Sequence, residues 1–199
     1  MAAEAPRKIC EEKMITKIQQ ISCCTILVLS SFLCTKTGIA QDSKSTIKID
    51  RELILTAARE MMDSVDYCAL ITLDKTGQPH VRTMDPFSPE EDTIVWLGTT
   101  KNSRKVMEIK NDARVSLYYA DPGGSGYVTI EGTAFLIDDE NEKSKRWKKE
   151  WEEFYPDREK TYILIKIVPK KLSVISYKHG LSGDPETWAA HTVEFSSIE

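Results

Sequence analysis

The chain has 199 residues, enough for one medium domain or two small ones. Hydrophobic residues make up 41% and charged residues 29%, with 27 Lys and Arg against 31 Asp and Glu and a net charge of −4. This composition excludes a wholly disordered chain, a collagen-like repeat and a coiled coil. The mildly acidic balance also argues against general nucleic-acid binding, which needs a basic face.

The first forty residues have the features of a secretory signal. The apolar run Ile21–Leu33 follows Lys13 and Lys17 and precedes the small residues around Ala40. This run is shorter than the roughly 20 residues that span a bilayer. The pattern predicts a signal peptide over residues 1–40, cleavage after Ala40 and an exported, periplasmic protein. An uncleaved membrane anchor is the alternative, and Met14 is an alternative start.

After cleavage the chain keeps one cysteine, Cys68. An intramolecular disulfide and a C-x-x-C redox or zinc site are therefore excluded for the mature chain. Residues 41–49 are polar and predict a flexible tether, which leaves residues 50–199 as the domain. No membrane contact is expected of the mature chain.

The first half of this domain predicts one helix and three strands. Asp50 is a typical N-cap, and the apolar spacing from Leu53 to Val65 indicates a helix. The turn signal Asp74–Gly77 separates two strands that form a hairpin. The predicted strands are Tyr67–Leu73, His80–Met84 and Thr93–Leu97.

The second half adds two helices and further strands. The predicted helices are Ser103–Lys110 and Asp139–Phe154, the second with Trp147, Trp151 and Phe154 on one face. The predicted strands are Ala113–Ala120, Tyr127–Ile137, Tyr162–Val168, Leu172–Tyr177 and Thr192–Phe195, with a turn at 121–126, Pro169 between two strands and a loop at 179–190. Strands in meander order with few helices favour a mainly β, α+β fold whose antiparallel sheet closes into a barrel, and disfavour a doubly wound fold.

The start of the short helix is a candidate phosphate site. Asn102 or Ser103 can cap it, which places Arg104 and Lys105 in its first turn. Cations there oppose the helix dipole, yet together with free backbone N–H groups and hydroxyls they suit a phosphate. The alternative is that these are solvated surface charges.

Arg82 is a second candidate for binding an anion. The period-two rule places it on one face of its strand with His80 and Met84, and Val81 and Thr83 on the other. An Arg on a central strand must snorkel, pair or bind an anion. Pairing with Asp85 or Asp92 is the alternative to anion binding.

Other chemical motifs are missing from the sequence. His80, His179 and His191 lack the spacing of a metal site, so no metal is expected. The sequence contains no nucleophile elbow, P-loop or dinucleotide-binding glycine motif. The mixed-charge run 142–153 is typical of a solvated helix rather than of a nucleic-acid patch.

Three segments resemble a known family when taken in order and spacing. They are G-x-P-H-x-R-x-M at Gly77–Met84, S-R-K at Ser103–Lys105 and N-D-A-R-V-S-L at Asn111–Leu117. Over Asp50–Phe195 the chain resembles the pyridoxamine 5′-phosphate oxidase-like, FMN-binding split barrels, most closely their general stress protein subgroup. The resemblance implies a split β-barrel with a few flanking helices. It also implies FMN and a homodimer with flavin at the subunit interface.

The resemblance also assigns residues to the cofactor. It implies that Arg82, Arg104 and Lys105 contact the FMN phosphate, supported by Ser103. Residues lining the ribityl chain and isoalloxazine would be Thr83, Met84, Gly98 and Thr99. Trp188 would cover the flavin of the partner; the alternative is a core or dimer-interface aromatic.

Two departures from the true oxidases of this family argue against pyridoxamine 5′-phosphate oxidase activity. The C-terminal segment Thr192–Glu199 lacks the Arg-x-His substrate motif of those oxidases, and Tyr127 aligns with the position of their flavin-contacting Gln. The expected function is an FMN-dependent oxidoreductase of unknown substrate, with no residue assigned as catalytic. The alternatives are a non-enzymatic flavin or haem binder, such as a stress-response protein, and a structural barrel without ligand.

Overall fold

The computed structural model describes residues 50–196. The predicted leader over residues 1–40 and the tether over residues 41–49 lie outside the described residues. None of the helices within residues 50–196 is long and apolar enough to cross a membrane.

Within residues 50–196, four α-helices flank the sheet: α1 (Arg51–Asp63), α2 (Arg104–Asn111), α3 (Glu140–Lys145) and α4 (Arg158–Thr161). The Asp50 side chain accepts a hydrogen bond from the Glu52 backbone N–H, so Asp50 is the N-cap as predicted. The apolar face of α1 packs against three strands of the sheet, while α2 packs against two. These contacts follow from the helical spacing of apolar residues.

In the part of the chain that the structure describes, the sheet has seven strands: β1 (Cys68–Leu73), β2 (Pro79–Met84), β3 (Val95–Thr100), β4 (Arg114–Ala120), β5 (Gly126–Ile137), β6 (Tyr162–Ser176) and β7 (His191–Glu194). All pairs are antiparallel, and the order is β2-β1-β4-β5-β6-β3, with β7 also paired to β6. The sheet curls into a half-barrel, which confirms the predicted split barrel.

The meander order was correct only in part. The hairpin β1–β2 and the run β4–β5–β6 follow the chain, but β3 crosses to the far edge and pairs with β6. The two edge strands β2 and β3 are joined where Pro86 bridges to Leu97 and the Phe87 N–H donates to the Trp96 carbonyl at 3.0 Å. The segment after β2 therefore brings the two edges of the half-barrel together.

One long strand replaces the two predicted around Pro169. β6 runs through this proline, and the register against β5 shifts at Glu131/Gly132, where Gly132 pairs with Pro169. Along its other edge β6 pairs with β3 up to Ile167 and with β7 from Lys171. Pro169 thus lies at a bulge in the gap between two partner strands, where a missing N–H is tolerated.

The predicted helix Asp139–Phe154 was wrong in its second half. α3 ends at Lys145, and after a break a 3₁₀ turn covers Lys149–Trp151. The break is stabilised by tertiary contacts, because the Tyr162 hydroxyl donates to the Arg146 carbonyl at 2.7 Å and the Arg146 guanidinium stacks on Trp96. A continuous helix would use that carbonyl itself.

Two apolar clusters lie on opposite faces of β3 and β6. Val95, Leu97 and Ile165 belong to the main core with α1 and α2, whereas Trp96 and Leu164 belong to a smaller cluster. The smaller cluster is aromatic and includes Trp151 and Tyr162, with Phe87, Trp147 and Tyr155 packed against it. Strand β3 is buried on both faces and extends to Thr100 rather than ending at Leu97.

Candidate functional site

The hairpin β1–β2 positions Arg82 as predicted. The Asp74 carboxylate accepts hydrogen bonds from the backbone N–H groups of Thr76 and Gln78, which fixes the turn. Along β2, His80 and Arg82 are half-buried and Met84 is buried, while Val81 and Thr83 are exposed. The predicted alternation is therefore confirmed, and Arg82 points toward the interior of the half-barrel.

Arg82 pairs with Glu108, not with Asp85 or Asp92. The distance from Arg82 Nη2 to Glu108 Oε2 is 2.8 Å, and Arg82 Nη1 also donates to the Thr72 hydroxyl. The Thr72 hydroxyl in turn donates to Glu108 Oε2. The carboxylate of Glu108 is 6% exposed, so this is a buried, charge-assisted network between β1, β2 and α2.

Sequence reasoning missed Glu108. It lies on α2 four residues after Arg104 and three after Lys105. Its side chain is buried, like those of the apolar Val106 and Ile109 on the same helix. A carboxylate on the buried face of an amphipathic helix was the available signal.

One of the two cations at the start of α2 also pairs with Glu108. α2 begins at Arg104, one residue after the predicted start at Ser103, and Arg104 Nε lies 3.3 Å from Glu108 Oε1. The Lys105 ammonium donates to the Thr99 hydroxyl at 3.0 Å. Burial lowers the pKa of Lys105, and the positive charge of Arg82 lowers it further. Arg82, Arg104 and Lys105, together with Glu108, are named here the cationic cluster.

The start of α2 leaves backbone donors open. Ser103 is at the N-cap position with extended backbone, but its side chain makes no capping hydrogen bond. Its hydroxyl lies 3.4 Å from that of Thr99, which is itself buried. Hydroxyls, helix N–H groups and three cations therefore share one region, which is the donor set that suits a phosphate.

A cleft of about 520 Å³ opens between the ends of the two edge strands. Its strand side is formed by Thr83, Met84 and Gly98. Thr83 follows Arg82 along β2, and Gly98 precedes Thr99, the partner of Lys105, along β3, so the two strands that line the cleft also carry Arg82 and Thr99. The predicted cofactor residues other than Trp188 thus belong to the cationic cluster, line the cleft, or lie next to one of them, as Thr99 and Ser103 do.

The opposite wall of the cleft is aromatic. Trp151, Phe154 and Tyr155 line it, and the Phe154 side chain is 74% exposed. The prediction that Phe154 packs on the same face as the two tryptophans was wrong, because the helix that would have aligned them is interrupted. A cleft with one aromatic wall and a few polar groups is suited to a planar organic ligand.

Asp85 fixes this aromatic wall. Its carboxylate accepts from the Lys148 ammonium and from Trp151 Nε1, the second at 2.8 Å. Lys148 also donates to the Pro86 carbonyl at 2.8 Å. Asp85, which was an expected partner of Arg82, instead binds Lys148 and Trp151 and so joins the segment after α3 to the end of β2.

Trp188 lies on a separate loop. It belongs to the loop between the 3₁₀ turn Tyr177–His179 and β7, with a backbone φ of 59°. The side chain is 67% exposed, so the alternative of a core aromatic is wrong. An exposed indole on a left-handed backbone is available to a partner molecule.

The cysteine of the described residues is buried. Burial raises the pKa of the Cys68 thiol to about 12, beside the buried Tyr119. Within residues 50–196 no group of three or more His, Cys, Asp or Glu side chains could hold a metal ion.

The sequence matches the model of one protein family. The family described as pyridoxamine 5′-phosphate oxidase like matches residues 55–177, more than half of the chain. No curated protein matches the sequence.

Solved structures share the fold. General Stress Protein 26 from Bacillus anthracis str. Sterne superposes with a TM-score of 0.54 at 24% identity, covering 60% of this chain and 92% of that one. A Clostridium acetobutylicum protein related to general stress protein 26 of B. subtilis gives 0.60 at 19% identity, covering 74% and 97%. A pyridoxamine 5′-phosphate oxidase-related, FMN binding protein from Nostoc punctiforme PCC 73102 gives 0.51 at 14%, covering 72% and 95%. At these identities the likeness shows the fold alone.

Proposed function

The chain belongs to the pyridoxamine 5′-phosphate oxidase-like family, and from that premise we propose that it is a flavoprotein that binds FMN. The observation that carries the proposal is that Arg82, Arg104 and Lys105 lie together, while Thr83 and Gly98 of the same two edge strands line a cleft with an aromatic wall. Three cations against one carboxylate leave an excess of positive charge for a phosphate dianion. The donor set therefore fits FMN.

In this proposal each predicted residue has a physical role. Arg82, Arg104 and Lys105 hold the phosphate, with the hydroxyls of Ser103 and Thr99 nearby. Thr83, Met84 and Gly98 line the cleft that receives the flavin, with Trp151 and Phe154 on the far wall. The cofactor supplies hydride or electron transfer, and the protein binds and orients it. We propose that the protein is an oxidoreductase of undefined substrate, in which the side chains named above bind the cofactor.

The family's dimeric arrangement completes the proposal. Trp188 is exposed, and its side chain would lie over the flavin of a second copy of this chain. The homodimer would then place the flavin at the subunit interface. Export is a further part of the proposal, with residues 1–40 removed after Ala40, and N-terminal sequencing of the secreted protein tests it.

The first test is an absorbance spectrum of the purified protein before and after addition of FMN and desalting. Flavin bands that stay with the wild type and leave an Arg82→Ala/Arg104→Ala variant are the expected result. Arg114→Ala/Lys178→Ala is the matched control, since it removes two cations that pair with Asp112 and Glu60 outside the cluster. A wild type that stays colourless and gives no saturable change with FMN would refute the proposal.

A second measurement separates an enzyme from a carrier. Reduced nicotinamide and a quinone-like acceptor are added to the flavin-loaded protein, and consumption of the nicotinamide is followed. Turnover supports the oxidoreductase, whereas stable flavin without turnover favours a binding protein. A haem Soret band in place of flavin bands would indicate a haem carrier.

A further inference from the structure

Glu108 is the buried carboxylate at the centre of the cationic cluster. Its Oε2 accepts hydrogen bonds from Arg82 and Thr72, and its Oε1 lies 3.3 Å from Arg104 Nε. The ring of His80 faces Oε1 at 3.9 Å, while Oε1 has no hydrogen-bond partner among the described residues. A buried anion with an oxygen left unbonded costs free energy unless nearby charges compensate it.

The compensating charges belong to the proposed phosphate site. Arg82 lies on β2, whereas Arg104 and Lys105 lie in the first turn of α2. The side chains of Arg82 and Glu108 are 16% and 6% exposed, so solvent screens their interaction weakly. Without Glu108, the largely buried Arg82 would lose the carboxylate with which it pairs, beside the half-buried Lys105 and the exposed Arg104.

Resting on the proposed function, we propose that Glu108 is the internal counter-ion of the cationic cluster, balancing Arg82 in the empty protein and opposing the charge of a bound phosphate. The same carboxylate that stabilises the empty protein then weakens phosphate binding. Glu108 acts on the ligand through the charge of the cluster and is a positioning residue, which touches neither flavin nor substrate. It sets how strongly the site prefers a phosphorylated flavin to riboflavin.

This role predicts opposite effects on stability and on affinity. Glu108→Gln keeps the size of the side chain and removes its charge. The empty variant is expected to have a lower thermal midpoint than the wild type, because Arg82 loses its anion. FMN then raises the midpoint of the variant by more than it raises that of the wild type, since binding supplies the missing charge.

The decisive measurement is the ratio of dissociation constants for riboflavin and FMN, obtained from quenching of flavin fluorescence. The two ligands differ by the phosphate, so the ratio isolates the phosphate contribution. Removal of one negative charge near a dianion in a partly buried site is expected to raise this ratio about tenfold in Glu108→Gln. A ratio that is unchanged or lower would overturn the proposal.

Two control variants separate charge from shape. Thr72→Val removes the hydroxyl that bonds both Arg82 and Glu108 and leaves every charge in place. Glu108→Asp keeps the charge on a shorter side chain. Both ratios are expected to stay within about twofold of the wild type if charge decides. A rise in Thr72→Val equal to that in Glu108→Gln would assign Glu108 a merely structural role and overturn the proposal.

The outcomes also separate this proposal from the proposed function. A wild type without saturable FMN binding refutes the function itself. A wild type that binds FMN, combined with a ratio that does not rise in Glu108→Gln, refutes the counter-ion alone. If Glu108→Gln is unfolded when empty, saturating FMN is expected to restore its fold, and failure to do so would overturn the counter-ion.

Discussion

The indole Nε1 of Trp151 donates a hydrogen bond to the Asp85 carboxylate at 2.8 Å and so ties the aromatic wall of the cleft to the end of β2. Asp85 also neutralises Lys148, whose ammonium lies above the rings of Phe87 and Trp151. The wall is thus held by the carboxylate of the residue that follows β2, the strand that carries Arg82. Strand β2 therefore connects the proposed phosphate site with the proposed ring site.

Gly98→Ala is expected to destabilise the protein. An added Cβ would lie 2.5 Å from the Trp151 ring and 2.7 Å from that of Tyr162, closer than two carbons can approach. Overpacking of this kind costs about 1–3 kcal/mol, measured as the free energy of unfolding in urea. In a Trp151→Leu background the cost of Gly98→Ala should shrink. Equal costs in the two backgrounds would show that the indole is not the obstacle.

Phe154→Ala should weaken flavin binding with little effect on stability. Its ring lines the cleft but is 74% exposed, so its removal should change the free energy of unfolding by no more than about 0.5 kcal/mol. Loss of a stacking surface should raise the dissociation constant of riboflavin about threefold to tenfold. Tyr177→Ala, another exposed aromatic, is the control. Unchanged riboflavin affinity in Phe154→Ala would show that the flavin ring does not stack on Phe154.

The lowered pKa of Lys105 predicts that the stability of the ligand-free protein depends on pH. Burial and the charge of Arg82 hold its pKa in the folded protein below the ordinary 10.5. Between that lowered pKa and 10.5 the unfolded chain binds more protons, so the contribution of Lys105 to the free energy of unfolding rises with pH. Charged Lys105 therefore destabilises the empty protein at neutral pH, and this penalty disappears in alkaline solution.

The measurement is urea unfolding of the wild type and Lys105→Met from pH 7 upward. The stability of the wild type relative to the variant is expected to increase with pH across that window. Lys110→Met, on the exposed side of the same helix, is the control. A constant difference between wild type and Lys105→Met would contradict the burial of a charged ammonium.

Trp188→Ala should weaken self-association and flavin retention together. The indole is 67% exposed, so the thermal midpoint of the isolated chain should hardly change. If Trp188 covers the flavin of a second copy, the variant should dissociate at protein concentrations where the wild type is dimeric, as measured by sedimentation velocity. Phe135→Ala, an exposed aromatic on β5, is the control. A dimer and flavin affinity equal to those of the wild type would remove Trp188 from the interface.

Local sequence determined the elements that lie close together along the chain. The turn Asp74–Gly77 fixes the β1–β2 hairpin, and alternation along β2 directs Arg82 inward. The short helix α2 was predicted within one residue at each end, although the Ser103 side chain makes no capping hydrogen bond. These features depend on hydrogen bonds and side-chain periodicity within a few residues, which a sequence displays directly.

The tertiary structure decided the rest, because it depends on pairs distant in sequence. β3 pairs with β6 across the whole intervening chain, and the tyrosine at the start of β6 interrupts the helix predicted after β5. β6 continues through Pro169, which pairs with Gly132 of β5 on one side and lies in the gap between β3 and β7 on the other. Arg82 likewise had two nearby carboxylates as candidate partners, and the fold supplied Glu108 instead. The sequence by itself determined which residues bear the charge, while curling of the sheet decided which charges meet, since contact between β2 and α2 exists only once the half-barrel has formed.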